Sequence, residues 1–196
     1  MFDAVRQFLV LVRTGERAGT GLVIGDGSYI LTTNAVLDNT SAGGSYALAT
    51  IHHDDGSLAT GIVIGQDPDR DLAVLSLVGG GTHFPLSLGF QGIPGLAETV
   101  AIIGYSQGVA GFPSAHLGVV NVRADTGNTG VRYLETDALA GPGSGGSPVV
   151  SLQGEPMGII VNSTPLLMGE LLPGHAYALT MDDVRLAVEE MGVPLG

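Results

Sequence analysis

Residues 136–150 decide the fold, and they read TDALAGPGSGGSPVV. Gly143, Gly145 and Gly146 surround Ser144, which makes the backbone of this segment permissive for tight turns. The β-branched residues that follow predict a strand over Ser147–Leu152. The stretch is therefore a glycine-rich loop that leads directly into a strand.

Short β-branched runs, separated by turn signals such as Asp26-Gly27 and Asp55-Gly56, predict an all-β protein. The first set of predicted strands is Gln7–Arg13, Gly19–Ile24, Tyr29–Thr33, Ser45–His52, Leu58–Gln66 and Ala73–Leu77. The second set is Thr99–Gly104, Ala115–Arg123, Val131–Glu135, Ser147–Leu152, Pro156–Asn162 and Ala176–Thr180. Strand count alone allows several β architectures.

The last part of the chain changes from a strand period to a helix period. Val184, Ala187, Val188 and Met191 fall at helical spacing and predict a helix over about 182–191. Thr180 and Asp183 resemble a capping box at its start.

The composition limits the partners that the protein can bind. The formal net charge is −12, and only seven residues are Lys or Arg. Nucleic acid and anionic membranes need basic clusters, so both are unfavourable partners. A cationic peptide, a metal ion or a basic protein face would be the favoured partner, and an acidic surface that serves solubility is the alternative interpretation. No apolar run is long enough to span a bilayer, and the N-terminus does not read as a signal peptide. There is no cysteine, and no cofactor is predicted.

The glycine-rich loop resembles the nucleophile loop of HtrA-type, trypsin-like serine proteases, T-D-A-x-x-N-P-G-N-S-G-G-P-L-V. The matching positions are Thr136, Asp137, Ala138, Pro142, Gly143, Gly146 and Pro148. Gly145 stands at the position of the catalytic serine. Residues 29–38 are similar to the family's y-I-L-T-N-N-H-V-I-D, with Ala35 at the position of the general base. Residues 67–75 resemble D-P-x-x-D-L-A-V-L and retain its orienting aspartate as Asp71.

The resemblance implies a chymotrypsin-like fold of two six-stranded antiparallel β-barrels with a short C-terminal helix. The barrels are expected over about residues 7–78 and 96–180, joined by a connector at 79–95, and no PDZ-like segment follows the helix. Periplasm or cell envelope is the compartment that the resemblance implies if a signal or anchor precedes this sequence.

The same resemblance implies an incomplete catalytic site, because glycine cannot attack a carbonyl group and alanine cannot accept a proton. The backbone of Gly143, Ser144 and Gly145 is expected to retain a vestigial oxyanion hole. Leu139 and Ala140 would line the first specificity pocket. A peptide would pair as an added strand beside the segment Gly158, Ile159, Ile160 and Val161. The sequence thus predicts a pseudoprotease that binds peptides, scaffolds or assembles with other proteins.

Three alternatives remain open. Ser144 could act as a nucleophile with a relocated base. His52 and His53, next to two aspartates, are weak candidates for a metal site, although strand alternation would put them on opposite faces. Deliberate inactivation of an active protease is the third, but departures at Gly141, Ser144 and Ser147 accompany those at Ala35 and Gly145 and argue against it.

Overall fold

The computed structural model describes residues 2–37, 48–81, 84–89, 93–125, 127, 130–162 and 174–195. Two closed antiparallel β-barrels make up the fold, each with six strands. This arrangement confirms the predicted all-β, chymotrypsin-like fold class.

The strands of the first barrel are β1 (Leu9–Thr14), β2 (Arg17–Ile24), β3 (Tyr29–Thr32), β4 (Leu48–His53), β5 (Leu58–Asp67) and β6 (Leu72–Leu77). Those of the second are β7 (Thr99–Gly104), β8 (Ser114–Asp125), β9 (Arg132–Thr136), β10 (Pro148–Ser151), β11 (Pro156–Val161) and β12 (Ala176–Thr180). The strand order is β1-β2-β3-β6-β5-β4 in the first barrel and β10-β11-β12-β9-β8-β7 in the second. Two turns form at the predicted pairs, where Gly27 and Gly56 adopt positive φ of 91° and 84°.

Two groups of buried apolar side chains hold the barrels. One lies inside the second barrel, around Val100, Leu134 and Ile160. The other joins the interior of the first barrel to the outer face of the second, where Ile159, Val161 and Leu179 lie. Burial of apolar surface therefore fixes the barrels against each other and defines the cleft between them.

Helix α2 (Met181–Glu190) covers part of that outer face, and it contacts β11, β12 and β6. Its start differs from a capping box, because the Thr180 hydroxyl donates to the Asp183 carboxylate and not to a backbone group. Asp183 also accepts hydrogen bonds from the backbone N–H and the Nε–H of Arg132 on β9, at 3.3 and 3.1 Å. An ion pair to the second barrel thus fixes the helix start.

Two short helices were not predicted from the sequence. Helix α1 (Phe2–Arg6) precedes β1, and a 3-10 helix, Asn34–Val36, follows β3. One turn of helix carries too little periodicity to be seen in a sequence. Residues 45–47 of the predicted fourth strand lie outside the described residues. None of the helices in the described ranges is long and apolar enough to cross a bilayer.

Candidate functional site

Asp71 sits in the cleft between the barrels and organises the candidate site. It precedes β6, is buried, and adopts a left-handed backbone with φ of 55°, a conformation that aspartate tolerates better than most residues. One carboxylate oxygen accepts the N–H of Ala35 at 2.8 Å, and the other accepts the N–H of Asn162 at 2.7 Å. Asp71 therefore bonds the first barrel's 3-10 helix and the end of β11 at the same time.

The 3-10 helix presents Ala35 where the resemblance places the general base. The carbonyl of Asp71 accepts the N–H of Asn34 at 3.1 Å, which fixes the start of this helix. The Arg17 guanidinium donates to the carbonyl of Ala35 at 2.9 Å, which fixes its end. The backbone around Ala35 is thus held at both ends, while its methyl side chain has no proton-accepting group.

The nucleophile-like loop, residues 141–147, needs glycine at two of its positions. Gly143 and Gly146 have positive φ of 94° and 87°. A Cβ at Gly143 would lie 2.3 Å from the Tyr105 carbonyl oxygen, and one at Gly146 would lie 2.0 Å from the Thr20 carbonyl oxygen. Both residues match the family pattern because no other residue fits there.

A junction of hydroxyl groups ties this loop to the first barrel. The Ser147 hydroxyl donates to Thr20 Oγ1 at 2.9 Å, and Thr20 Oγ1 donates to the carbonyl of Gly143 at 3.0 Å. Thr20 Oγ1 also accepts the N–H of Tyr105 at 2.9 Å, and the N–H of Thr20 donates to the Gly145 carbonyl at 2.8 Å. The departure at Ser147 therefore adds a buried bond between the barrels.

Asn162 lies in the site although it was not among the site residues predicted from the sequence. Its side-chain Nδ2 lies 3.3 Å from Thr33 Oγ1 and 3.5 Å from an Asp71 carboxylate oxygen. A Cβ at Gly145 would lie 2.4 Å from the same Nδ2. The Asn162 carboxamide thus fills the space between Asp71 and Gly145. The only sequence signal is a polar residue directly after the buried strand β11.

The oxyanion-hole positions keep their backbone donors. In the part of the chain that the structure describes, no hydrogen bond uses the N–H of Gly143 or of Gly145, whereas the Ser144 N–H donates to the Gly141 carbonyl at 3.0 Å. These two N–H groups are the donors that the resemblance assigns to an oxyanion hole.

The Ser144 hydroxyl is engaged in a hydrogen bond within its own loop. The residue is 2% exposed, and its hydroxyl oxygen accepts the N–H of Gly141 at 2.9 Å. This bond closes the loop on itself, and it leaves Ser144 without a base among its recorded partners in the described part of the chain.

Most backbone groups of the predicted peptide-pairing segment already form hydrogen bonds within the second barrel. Gly158 and Ile159 pair with β10 on one side and with β12 on the other. Ile160 exchanges two backbone bonds with the nucleophile-like loop, at 2.8 and 2.9 Å, and Val161 pairs with Tyr177. Most of the backbone of this segment is therefore paired within the second barrel, whereas Asn162, the residue that follows it, is exposed.

The two predicted pocket residues lie just before the nucleophile-like loop and differ in exposure. Leu139 is 58% exposed, whereas Ala140 is partly buried against the core of the second barrel. The exposed leucine leaves an apolar contact next to the cleft.

The histidine pair lies away from this cleft, at the end of β4. His53 is buried and His52 is half-buried, as expected for neighbours on opposite faces of a strand. The adjacent Asp54 pairs with Arg6 of α1 at 2.8 Å. The described residues hold no group of three or more His, Asp or Glu side chains that could bind a metal.

Comparison with known proteins places the chain in a family. A family model described as a trypsin-like peptidase domain matches residues 19–159. The chain is 32% identical over 175 residues to a probable periplasmic serine endoprotease DegP-like of Bartonella henselae, covering 88% of this chain and 33% of that protein. It is 27% identical over 188 residues to the serine protease Do-like HtrA of Bacillus subtilis, covering 91% and 40%. The chain thus spans well under half the length of these relatives.

Solved structures show the same fold. The serine endoprotease from Yersinia pestis superposes with a TM-score of 0.76 at 22% identity, covering 95% of this chain and 63% of that one. The Rv3671c protease in its inactive form superposes with a TM-score of 0.76 at 20% identity, covering 97% and 92%. With two six-stranded barrels, a matching family model and HtrA-type relatives, the chain belongs to the trypsin-like peptidase family.

Proposed function

We propose that this domain is a catalytically inactive, HtrA-type pseudoprotease that binds peptides in the cleft between its barrels. One observation carries the proposal. Ala35 and Gly145 replace the base and the nucleophile around Asp71, and the Asn162 carboxamide fills the space between Asp71 and Gly145.

Asp71 has a structural role in this site although there is no histidine for it to orient. Its two carboxylate oxygens hold the backbone of Ala35 and of Asn162, and those segments form the two walls of the cleft. Removing an acceptor from two such N–H groups costs free energy whether or not chemistry occurs. The aspartate is therefore needed for the shape of the site.

Peptide binding can survive without a nucleophile because it uses backbone groups and apolar contacts. The N–H groups of Gly143 and Gly145, which have no acceptor among the described residues, can donate to a peptide carbonyl oxygen. We place the added strand beside the end of β11, at Val161. The exposed Leu139 supplies an apolar contact beside these groups. The net charge of −12 favours a partner of basic character.

Active-site labelling tests the loss of chemistry. The protein is incubated with a fluorophosphonate probe, beside an active HtrA-type protease as the positive control, and intact mass is measured. We expect no adduct. A stoichiometric adduct on Ser144 or Ser147 would overturn the proposal and establish the relocated-nucleophile alternative.

Peptide binding is tested separately by fluorescence anisotropy with labelled, extended apolar peptides. Leu139→Asp should weaken binding roughly ten- to hundredfold, because burying a leucine contributes about 1.5–3 kcal/mol. Leu152→Asp is the matched control, since Leu152 is also exposed, at 51%, but follows the far end of β10. Equal effects of the two substitutions, or no binding by the unaltered domain, would refute cleft binding.

A further inference from the structure

The turn that joins β1 and β2 lies close to the nucleophile-like loop. Thr14 and Arg17 are the last register pair before this turn, and we call residues 13–18 the hairpin tip. Three residues beyond Arg17, the N–H of Thr20 donates to the Gly145 carbonyl at 2.8 Å. A strand rises about 3.3 Å per residue, so the Arg17 backbone is roughly 10 Å from that of Thr20. This distance is the span of about three residues of an extended peptide.

Two exposed arginines of the hairpin tip contact the two walls of the cleft. The Arg17 guanidinium donates to the carbonyl of Ala35, on the 3-10 helix of the first barrel, at 2.9 Å. Arg13 belongs to the next register pair and so projects from the opposite face, where its guanidinium donates to the carbonyl of Gly108 at 2.6 Å. Gly108 follows β7 of the second barrel, and its nitrogen would lie 2.9 Å from a Cβ at Gly143. One guanidinium is therefore fixed beside the position of the missing base, and the other is fixed beside an oxyanion-hole donor.

These two guanidinium groups keep their charge and most of their donors. The chain has seven cationic residues, and four of them pair with carboxylates: Arg6, Arg70, Arg132 and Arg185. In the part of the chain that the structure describes, Arg13 and Arg17 bond only to backbone carbonyls. Arginine is always charged and has five N–H donors, so each side chain keeps donors for a ligand. With Glu16 at the turn, two arginines and one glutamate give the hairpin tip a formal charge of about +1, whereas the whole chain carries −12.

We propose that Arg13 and Arg17 are specificity-determining residues that select one Asp or Glu side chain of the bound peptide. The inference rests on the proposed peptide-binding function and adds a side-chain preference at the hairpin tip. A guanidinium donates strong, charge-assisted hydrogen bonds to a carboxylate. Because backbone carbonyls already hold both guanidinium groups, binding costs less conformational entropy. The net charge of −12 repels a strongly acidic peptide, so the preference is for a single carboxylate in an otherwise neutral or basic peptide.

The experiment measures selectivity, because a merely structural role would change affinity for all peptides alike. A single Glu is moved through every position of an apolar nine-residue peptide, and each peptide is compared with its Gln counterpart by fluorescence anisotropy. At one position we expect the Glu peptide to bind about tenfold more tightly than the Gln peptide. The double variant Arg13→Gln with Arg17→Gln should reduce that ratio to about one. Arg13→Lys with Arg17→Lys should keep part of the preference, because the charge remains while the planar guanidinium is lost.

Arg123→Gln is the matched control. Arg123 is an exposed β8 residue that forms no ion pair or hydrogen bond among the described residues, and it lines a separate hollow with Ile93 and Leu96. Its substitution removes the same charge as one hairpin substitution and should leave the tenfold ratio unchanged. An equal loss of the ratio in Arg123→Gln would indicate a general effect of net charge and would overturn the inference.

The remaining outcomes separate this inference from the proposed function. If the double Gln variant fails to fold by circular dichroism, Arg13→Gln and Arg17→Gln carry the test singly, and each should lower the ratio to about threefold. Peptides that bind without any Glu preference, or a preference that persists in the Gln variants, would overturn this inference alone. Failure of every peptide to bind would overturn the proposed function as well.

Discussion

The Gly145→Ser substitution should displace the Asn162 side chain and lower the free energy of unfolding by a small amount. The new Cβ would lie 2.4 Å from Asn162 Nδ2 and 3.0 Å from Thr33 Oγ1. Gly145 itself is not in a left-handed conformation, so the cost arises from contact and not from backbone strain. Because Nδ2 is the far end of a partly exposed side chain, we expect Asn162 to rotate away while the loop stays in place.

The expected loss of stability can be estimated from the hydrogen bonds that the Asn162 side chain would lose. They are long, at 3.3 Å to Thr33 and 3.5 Å to Asp71, so their loss should cost about 1 kcal/mol. For a chain of 196 residues this corresponds to a fall in melting temperature of roughly 2–4 °C. In an Asn162→Ala background the same Gly145→Ser change should cost much less, because the 2.4 Å contact is gone and the Thr33 hydroxyl, at 3.0 Å, needs to shift by only a few tenths of an ångström.

The assay is a double-mutant cycle with urea and thermal unfolding of Gly145→Ser, Asn162→Ala and the pair. Gly95→Ser is the matched control, because a Cβ there meets only Glu98 Oε2, at 3.6 Å. A Gly145→Ser cost that is the same in both backgrounds would refute displacement of Asn162. A cost above about 3 kcal/mol would mean that the loop itself must move.

Three further outcomes are expected. Asp71→Ala should destabilise the fold by about 2–3 kcal/mol and Asp71→Asn by roughly half as much, because Asn keeps one acceptor and tolerates positive φ; equal costs in urea unfolding would contradict the bridging role. The double variant Ala35→His with Gly145→Ser should stay at least about 100-fold below an active HtrA protease in peptide cleavage, since an error of about 1 Å suffices for that loss; activity within tenfold would indicate a recently inactivated enzyme. Burial raises the pKa of Tyr105 to about 12, above its ordinary value of 10.0, so the unfolded chain loses this proton first. Stability should therefore fall as pH rises from 10 to 12, and the slope of melting temperature against pH should be shallower in Tyr105→Phe.

The strands could be predicted from the sequence because β-branched runs and Asp-Gly turns report local geometry directly. Their closure into two six-stranded barrels was expected from the family resemblance and not from the strand pattern. The loop motif likewise predicted where glycine is required. Gly143 and Gly146 keep the family residue because any side chain would meet the backbone of Tyr105 or Thr20.

The contacts across the cleft were not visible in the sequence, because they join residues far apart in the chain. Asn162 lies 91 positions from Asp71, and Ser147 lies 127 positions from Thr20. A polar residue after a strand, or a serine in a loop, gives no sign of such a partner. The pairing of β11 on both sides was equally hidden, since it depends on which strands close the second barrel.

The Thr20 junction also bears on how quickly a ligand can bind. One hydroxyl holds Gly143, Ser147 and Tyr105 together, so the loop is fixed on both sides of the cleft before any ligand arrives. Association then needs no slow rearrangement of the loop. It should follow a single exponential, with a rate constant in the ordinary range of about 10⁵–10⁷ M⁻¹s⁻¹ that rises linearly with peptide concentration. Differences in affinity between peptides would then arise almost entirely from their dissociation rate constants.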